Sequence, residues 1–320
     1  MPGGLPPPYP AIHRALIAGA VIPFLGAGAP LYARNPNETS WYQKQKDKED
    51  ILHLPNASEL ANFLAAETDL PASEWGELTK MAQYYEAVVG MEPLRGWLRR
   101  IFSCNQPPTP LHRFLAAVPA PLLCVTTNYD DSLERAYLEQ GRPYDVVVHL
   151  TVPDKVLWWP HGDAEPRELL ADQLLIDLDK TSVVYKIHGA IDRRQKQIGT
   201  YVITEDDYVE FLTRMTRKTV IPSIFAEPFQ TRPFLFLGYG LYDWNLRVIL
   251  NHIQDFRGHP KFRSWAIETL TKPVERMLWE ARGVTVYDGL TLEEFLTELK
   301  KQGEIEPAGE GEAAGGAAVP

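Results

Sequence analysis

Cysteine is scarce in this chain: 320 residues carry only Cys104 and Cys124. Two thiols cannot supply a four-cysteine zinc module or a disulfide framework, which excludes zinc ribbons and small disulfide-stapled secreted scaffolds. Both sit in apolar contexts, Ile101-Phe102-Ser103-Cys104 and Leu122-Leu123-Cys124-Val125, as expected of reduced structural thiols. No run approaches the roughly 18 consecutive apolar residues of a membrane span. The opening Met1-Pro2-Gly3-Gly4-Leu5-Pro6-Pro7-Pro8 lacks the basic stretch and apolar core of a secretory leader, so a cytoplasmic protein is expected. Positive charge is also in deficit: 32 Lys+Arg against 42 Asp+Glu leave a net charge of −10. Such a balance provides no bulk field for a phosphate backbone, and direct nucleic-acid binding is not expected. H-E-x-x-H, G-x-x-x-x-G-K-[ST] and G-x-S-x-G are all absent, which removes the main support for zinc protease, P-loop ATPase and serine hydrolase chemistry. There is no internal repeat.

What is present is a foldable acidic chain with 45% hydrophobic residues. A short helix at Ala11–Ala20 leads into Val21-Ile22-Pro23-Phe24-Leu25, an apolar strand that stops at Gly26-Ala27-Gly28. Tyr32 to Asp50 is polar and reads as a long exposed loop. Helical spacing occupies Asn56 to Ile101, with Asn56 or Ser58 as a helix cap. Strand rhythm returns at Pro121–Thr127 and continues at 145–148, 182–187, 200–203, 234–237, 262–267 and 284–287. Helical patterns at 205–215, 242–253, 272–281 and 291–299 separate most of these. Such alternation predicts an α/β fold with a doubly wound, mostly parallel sheet, whose ligands bind at the carboxyl ends of the strands. The domain spans 1–302 with a helical insertion at about 56–118 forming a small helical subdomain. Residues 303–320, rich in Gly, Ala, Glu and Pro, read as a disordered tail.

Several constellations fall at strand ends. Gly26-Ala27-Gly28 is a phosphate-turn candidate, because glycine lets backbone amides approach a pyrophosphate; the same residues also suit a plain strand-ending turn. Gly238-Tyr239-Gly240 repeats the arrangement. In Thr126-Thr127-Asn128-Tyr129-Asp130-Asp131, either Asn128 or Asp130 is a polar site residue or simply a helix cap. Ser182 to Ile187 delivers His188 to a strand end just before Gly189, where an imidazole is suited to general-base work. His161-Gly162 copies the pair and is its rival. His13, His53, His112, His252 and His259 have no partners at metal spacing, and His149 lies at a strand end without a glycine turn.

Taken in order, Phe24-Leu25-Gly26-Ala27-Gly28, Thr127-Asn128-Tyr129-Asp130, Lys186-Ile187-His188-Gly189-Ala190-Ile191-Asp192, Ile203-Thr204-Glu205-Asp206-Asp207-Tyr208 and Leu237-Gly238-Tyr239-Gly240-Leu241-Tyr242-Asp243 resemble a sirtuin-like domain. The likeness covers roughly residues 11–300. It is to the bacterial branch found in antiphage defence, which includes Thoeris-type effectors and proteins paired with HerA-type ATPases or short Argonautes. The resemblance implies a Rossmann-like NAD-binding fold. It places dinucleotide phosphates at Gly26, Ala27 and Gly28. Asn128 falls near the scissile bond, Asp130 at the nicotinamide amide, and His188 as proton acceptor. Gly238 and Tyr239 fall at the ribose and phosphate, and Asp288 at the adenine end. Two departures matter. The four-cysteine zinc module of protein-deacylating sirtuins is missing, so no zinc is expected and deacylation is disfavoured. The Ile-Pro-x-Phe-Arg stretch that follows Gly-Ala-Gly in sirtuins is replaced by Tyr32 to Asp50, where Arg34 is the nearby arginine.

The resemblance therefore implies an NAD+ hydrolase that releases nicotinamide and ADP-ribose, with NAD as substrate. It would be an NAD-depleting effector of antiphage defence, activated by homo-oligomerisation or by an ATPase or Argonaute partner. The alternatives are an NAD-dependent deacylase or ADP-ribosyltransferase, and a non-catalytic subunit that senses NAD or ADP-ribose.

Overall fold

A computed structural model of the chain describes residues 5–32, 41, 51, 53–150, 154–191, 200–215, 221–240, 263–269 and 271–303. Arg34 and most of the 32–50 loop, Asp192, Leu241 to Asp243, the 242–253 helix, His252, His259 and the tail from 304 onward lie outside the described residues.

Eleven strands are present among the described residues: β1 (Ile22–Leu25), β2 (Leu123–Thr126), β3 (Tyr144–His149), β4 (Lys155–Trp159), β5 (Arg167–Leu170), β6 (Ser182–Lys186), β7 (Gly189–Ala190), β8 (Thr200–Tyr201), β9 (Phe234–Leu237), β10 (Ser264–Glu268) and β11 (Val284–Asp288). The helices are α1 (Tyr9–Ile17), α2 (Ala57–Ala66), α3 (Leu78–Val89), α4 (Met91–Phe102), α5 (Pro110–Ala117), α6 (Ser132–Glu139), α7 (Glu205–Met215), α8 (Ala226–Thr231), α9 (Pro273–Glu280) and α10 (Leu292–Lys300).

Nine strands form one sheet in the order β11-β10-β9-β1-β2-β6-β3-β4-β5. The seven from β11 to β3 are parallel, while β4 and β5 extend the edge antiparallel. The expected doubly wound, mostly parallel sheet is therefore what the chain builds. Period-2 alternation sends Phe24, Val125, Tyr185 and Phe236 to one face, against Phe211 of α7, Phe225, Phe229 and Trp279. Leu25, Cys124, Val184 and Leu237 go to the other, against Ile12 and Leu16 of α1, Phe114 of α5, Tyr137 of α6 and Phe295 of α10. Burial on both faces is why these strands read as continuous apolar runs.

Three features depart from the sequence expectation. β4 and β5 are additional strands: β4 carries the apolar run Val156 to Trp159 after Lys155, with Val156 and Leu157 buried, whereas β5, with Arg167 and Glu168 exposed, lacks the apolar run of a buried strand. Thr200–Tyr201 pairs with Gly189–Ala190 in a separate two-stranded ribbon instead of joining the sheet. Residues 223–231 add a 3-10 turn and α8.

The helices α2, α3 and α4 bury Leu60, Phe63, Leu64, Met81, Tyr85, Leu94 and Leu98 together with Trp41. Tyr129, Ile191, Tyr201 and Ile203, all from loops or the ribbon at the carboxyl edge, enter this same cluster. The helical layer is thereby anchored over the ligand edge of the sheet. Asn56 starts α2 with a reciprocal capping box, its Oδ1 accepting from Glu59 N–H at 2.8 Å and Glu59 Oε2 accepting from Asn56 N–H at 2.8 Å. α5 instead belongs to the sheet layer, in the cluster with α1, α6 and α10.

Candidate functional site

A doubly wound sheet opens a crevice where neighbouring strands connect in opposite directions. Here β1 has β2 on one side and β9 on the other, and a cleft of about 560 Å³ lies at their carboxyl ends. Ala27, Thr127, Asn128, Tyr129, Asp130, His188, Tyr239 and Gly240 line its sheet side; Asn56, Ala57, Leu60, Leu78 and Phe102 line its helical side.

The two glycine turns that face this cleft are locked to each other. Gly26 N–H donates to Leu237 O at 3.1 Å, and Gly28 N–H donates to Gly238 O at 2.7 Å. A methyl group at Gly26 would meet Gly238 O and the Tyr239 Cα at 2.6 Å, and one at Gly238 would meet the Gly28 carbonyl carbon at 2.6 Å. Glycine is required here for backbone-to-backbone approach, and at Gly238 also for φ +65°. Of the three amides in Gly26-Ala27-Gly28, that of Ala27 alone makes no backbone hydrogen bond among the described residues.

The Asn128 loop is held from three directions. Thr126 Oγ1 donates to Leu25 O at 3.1 Å and accepts from Asn128 N–H at 3.0 Å. The Asn128 side-chain amide donates to Gly26 O at 2.9 Å, which leaves its Oδ1 for the cleft. Tyr129 is driven into the helical layer, where its hydroxyl donates to Val202 O at 2.7 Å and its ring meets Phe102 and Tyr201 edge-on. Asp130 lines the cleft while one carboxylate oxygen accepts from Ser132 N–H at 2.9 Å at the start of α6, so it serves as both a lining residue and a turn cap.

Beneath the loop, Lys186 at the end of β6 is 2% exposed; its Nζ donates to the Asp130 carbonyl and pairs with Glu134 Oε1 of α6 at 2.9 Å. Burial pushes the Glu134 carboxyl up, against the opposing pull of Lys186, and Oε2 has no partner among the described residues. This buried pair fastens the loop after β2 to its neighbouring strand. Sequence reasoning missed it, because nothing in either local pattern marks a pairing across elements.

His188 follows β6 and is 2% exposed. Burial, reinforced by His149, holds it down at about 3, so the imidazole is neutral. Its Nδ1 lies 3.4 Å from the Tyr208 hydroxyl, and its Nε2 has no partner among the described residues. Tyr208 and Phe211, one turn apart on α7, pack edge-to-face on the ring with centroids at 5.2 and 5.3 Å. Phe211 also meets His149, which burial and then Arg214 hold at about 4. Tyr208 thus also lines the cleft, and its sequence signal was its place in the Ile203–Tyr208 motif; His149 does not line the cleft but packs behind His188 through Phe211.

The remaining candidates lie elsewhere. His161 is exposed beyond β4, and because β4 runs antiparallel to β3 it sits at the opposite edge of the sheet from His188. Its N–H donates to Asp145. Asp288 ends β11, three strands from β1, and accepts from Thr271 N–H at 2.8 Å. It does not line the cleft, but faces Glu268 in register; burial first, then Asp288 and Glu275, pushes the Glu268 carboxyl up to about 8. No cluster of three or more His, Cys, Asp or Glu suited to a metal occurs among the described residues. Both cysteines are buried thiols, and burial raises Cys124 to about 12.

Fold and site together define a doubly wound, Rossmann-like α/β class of protein, with a polar loop and a histidine facing one cleft at the switch point. The SIR2-like domain family matches residues 123–287, just over half of the chain, and the chain belongs to that family. It is 23% identical over 283 residues to defense-associated sirtuin 2 of Bacillus subtilis, covering 86% of this chain and 23% of that protein. It is 29% identical to the NAD(+) hydrolase ThsA of Acinetobacter baumannii over 208 residues and to that of Enterococcus faecium over 203, covering 62% and 61% of this chain. In each ThsA the match spans 36% of the relative, so the chain covers between 23% and 36% of the length of these proteins. No helix among the described residues is long and apolar enough to cross a membrane.

Proposed function

We propose that this chain hydrolyses NAD+ at the nicotinamide–ribose bond. The observation that carries the reading is geometric: His188 and Asn128, delivered by two neighbouring strands, line the same cleft, and burial favours the neutral imidazole, a proton acceptor. That suits this leaving group. Nicotinamide departs from a pyridinium cation, its ring nitrogen keeps the electron pair of the broken C1′–N bond, and it leaves neutral without needing a proton. The remaining task is to take a proton from the attacking water or a ribose hydroxyl, which an imidazole with an open nitrogen does. Water adds its oxygen to C1′, and the products are nicotinamide, ADP-ribose and one proton.

The surroundings supply the rest. The transition state at C1′ is cationic, and the Asn128 Oδ1, preorganised by its amide bond to Gly26, orients the hydroxyl or water beside it. Asp130 faces the nicotinamide amide. Gly26, Ala27, Gly28, Gly238 and Tyr239 accommodate ribose and phosphates, with the Ala27 N–H available as a phosphate donor. Asp288 would reach only the adenine end. Entry of the anionic diphosphate favours the protonated form of a nearby imidazole, so substrate brings His188 toward its working range. The names of the ThsA relatives support the reaction, and that of the Bacillus subtilis relative supports a role in defence. Because a constitutive hydrolase would drain a shared cofactor, we place the chain in an NAD-depleting antiphage system activated by homo-oligomerisation or by a HerA-type ATPase or short Argonaute.

The test is nicotinamide and ADP-ribose release from NAD+, with and without such a partner. His188→Ala is expected to lower the rate by about 10²- to 10⁴-fold, the range of a lost acid–base group, and Asn128→Ala by about 10²- to 10³-fold, the range of a lost preorganised polar group. Transfer of ADP-ribose to a protein or removal of an acyl group from a peptide would assign the site to a transferase or deacylase. NAD binding without turnover under every condition would make the chain a sensing subunit.

A further inference from the structure

We infer that Tyr208 is the positioning residue that selects which nitrogen of His188 accepts the proton; this rests on the hydrolase reading above. A neutral imidazole carries one N–H and one open lone pair, and free in water the two tautomers exchange. For His188 to act as a base through Nε2, its hydrogen has to reside on Nδ1. The hydroxyl of Tyr208 lies 3.4 Å from Nδ1, and in this proposal it accepts that hydrogen and holds it there. Nε2, buried and without a partner among the described residues, is then the open nitrogen.

Local structure is arranged to put Tyr208 in that place. Thr204 and Asp207 form a capping box at the start of α7: Asp207 Oδ2 accepts from Thr204 N–H at 3.0 Å and from Ile203 N–H at 3.1 Å, while Thr204 Oγ1 accepts from Asp207 N–H at 3.1 Å. Gln83 of α3 closes two further bonds with Asp206, at 3.0 and 3.2 Å, and ties the helix start to the helical layer. The motif Thr204-Glu205-Asp206-Asp207-Tyr208 is therefore a helix start whose last residue touches the imidazole. Edge-to-face packing by Tyr208 and Phe211 prevents the ring from turning. The titratable and charged groups around His188 are Tyr208 from α7 and His149 from β3, with Arg214 beside His149. Neither His149 nor Arg214 contributes a hydrogen-bond acceptor to Nδ1.

Tyr208→Phe removes the hydroxyl and keeps the ring. The full chain, labelled with 15N-histidine and with the His188 signals assigned through His188→Gln, reports the tautomer directly by long-range 1H–15N correlation. The wild type is expected to show Nδ1–H with a bare Nε2, and Tyr208→Phe a shift toward Nε2–H. In the NAD+ assay the same variant is expected to lose about tenfold in kcat with a smaller change in KM, since the hydroxyl that orients the base is lost while the ring lining the cleft is kept. A wild-type spectrum with hydrogen on Nε2 overturns the inference without any variant. An unchanged tautomer or an unchanged kcat in Tyr208→Phe also overturns it while leaving the hydrolase reading intact. If the wild type releases no nicotinamide under any condition, the hydrolase reading fails, and the two spectra alone decide what Tyr208 does.

Discussion

The buried Lys186–Glu134 pair offers a quantitative test of how the cleft is held together. Lys186→Met keeps the stem that fills the core and removes the charge. Glu134, on the first turn of α6, then loses its partner at 2.9 Å, and the Asp130 carbonyl loses its donor. Breaking one side of a buried pair typically costs about 3–5 kcal/mol, because a charge is left in low dielectric. Glu134 has one escape, which is to bind a proton; burial already pushes its carboxyl upward. The loss should therefore be larger at pH 8 than at pH 5.5. Removing both members with Lys186→Met and Glu134→Leu replaces the pair with apolar volume, so only the lost hydrogen bond to Asp130 O remains, about 1 kcal/mol. Urea unfolding followed by circular dichroism on the two single variants and the double would measure the coupling. Restored stability in the double variant should coexist with impaired nicotinamide release, since the loop bearing Asn128 would still lack its tie to β6. A Lys186→Met chain within about 1 kcal/mol of wild type, or a double variant as unstable as the single, would refute the idea that this pair fastens the loop.

Acid should destabilise the protein well above the range in which its carboxylates titrate. His112 and His149 are held at about 4 and His188 at about 3, chiefly by burial, whereas an unfolded histidine titrates near 6.5. The unfolded chain thus gains protons first as pH falls below about 6.5, and stability drops with it, by about 2 kcal/mol per histidine at pH 5. Melting curves between pH 7.5 and 4.5 would show this, and His149→Phe should flatten the slope by about one third. Gly238→Ala combines φ +65° with a methyl 2.6 Å from the Gly28 carbonyl carbon, while Gly141→Ala has φ +60° and nothing within 4 Å. Thermal melts should show about 1 kcal/mol of loss at Gly141 and at least about 2 kcal/mol more at Gly238. Weakened NAD binding is expected only for Gly238→Ala.

Much of the fold was legible because strands buried on both faces must be apolar throughout. Ile22–Leu25, Leu123–Thr126, Ser182–Lys186 and Phe234–Leu237 stand out for that reason, and each is followed by its turn or polar loop. β5, with Arg167 and Glu168 exposed at the sheet edge, has no such constraint, and its Arg-Glu-Leu-Leu does not declare a strand. Thr200–Tyr201 did declare one, but strand propensity does not specify a partner, and Gly189–Ala190 claimed it.

The candidate site divides along the same line. Strand-end position is a local property, so Asn128 and His188 could be singled out from their own neighbourhoods. His188 ranked above its rival His161 on local grounds, the apolar strand before it and the strand-to-helix unit after it; the antiparallel course of β4 places the two at opposite edges of the sheet. Gly26 and Gly28 were marked as special by the sequence, yet their amides turn out to bond the second glycine turn, a contact that exists only once β1 and β9 lie side by side. The Lys186–Glu134 pair, the approach of Tyr208 to His188, and the helical wall over the cleft all join residues far apart in the chain. By itself, then, the sequence determined which residues stand at the ends of which strands. The tertiary structure decided which of those ends share a cleft, because strand order and crossing helices bring distant segments within bonding distance and no local pattern encodes that adjacency.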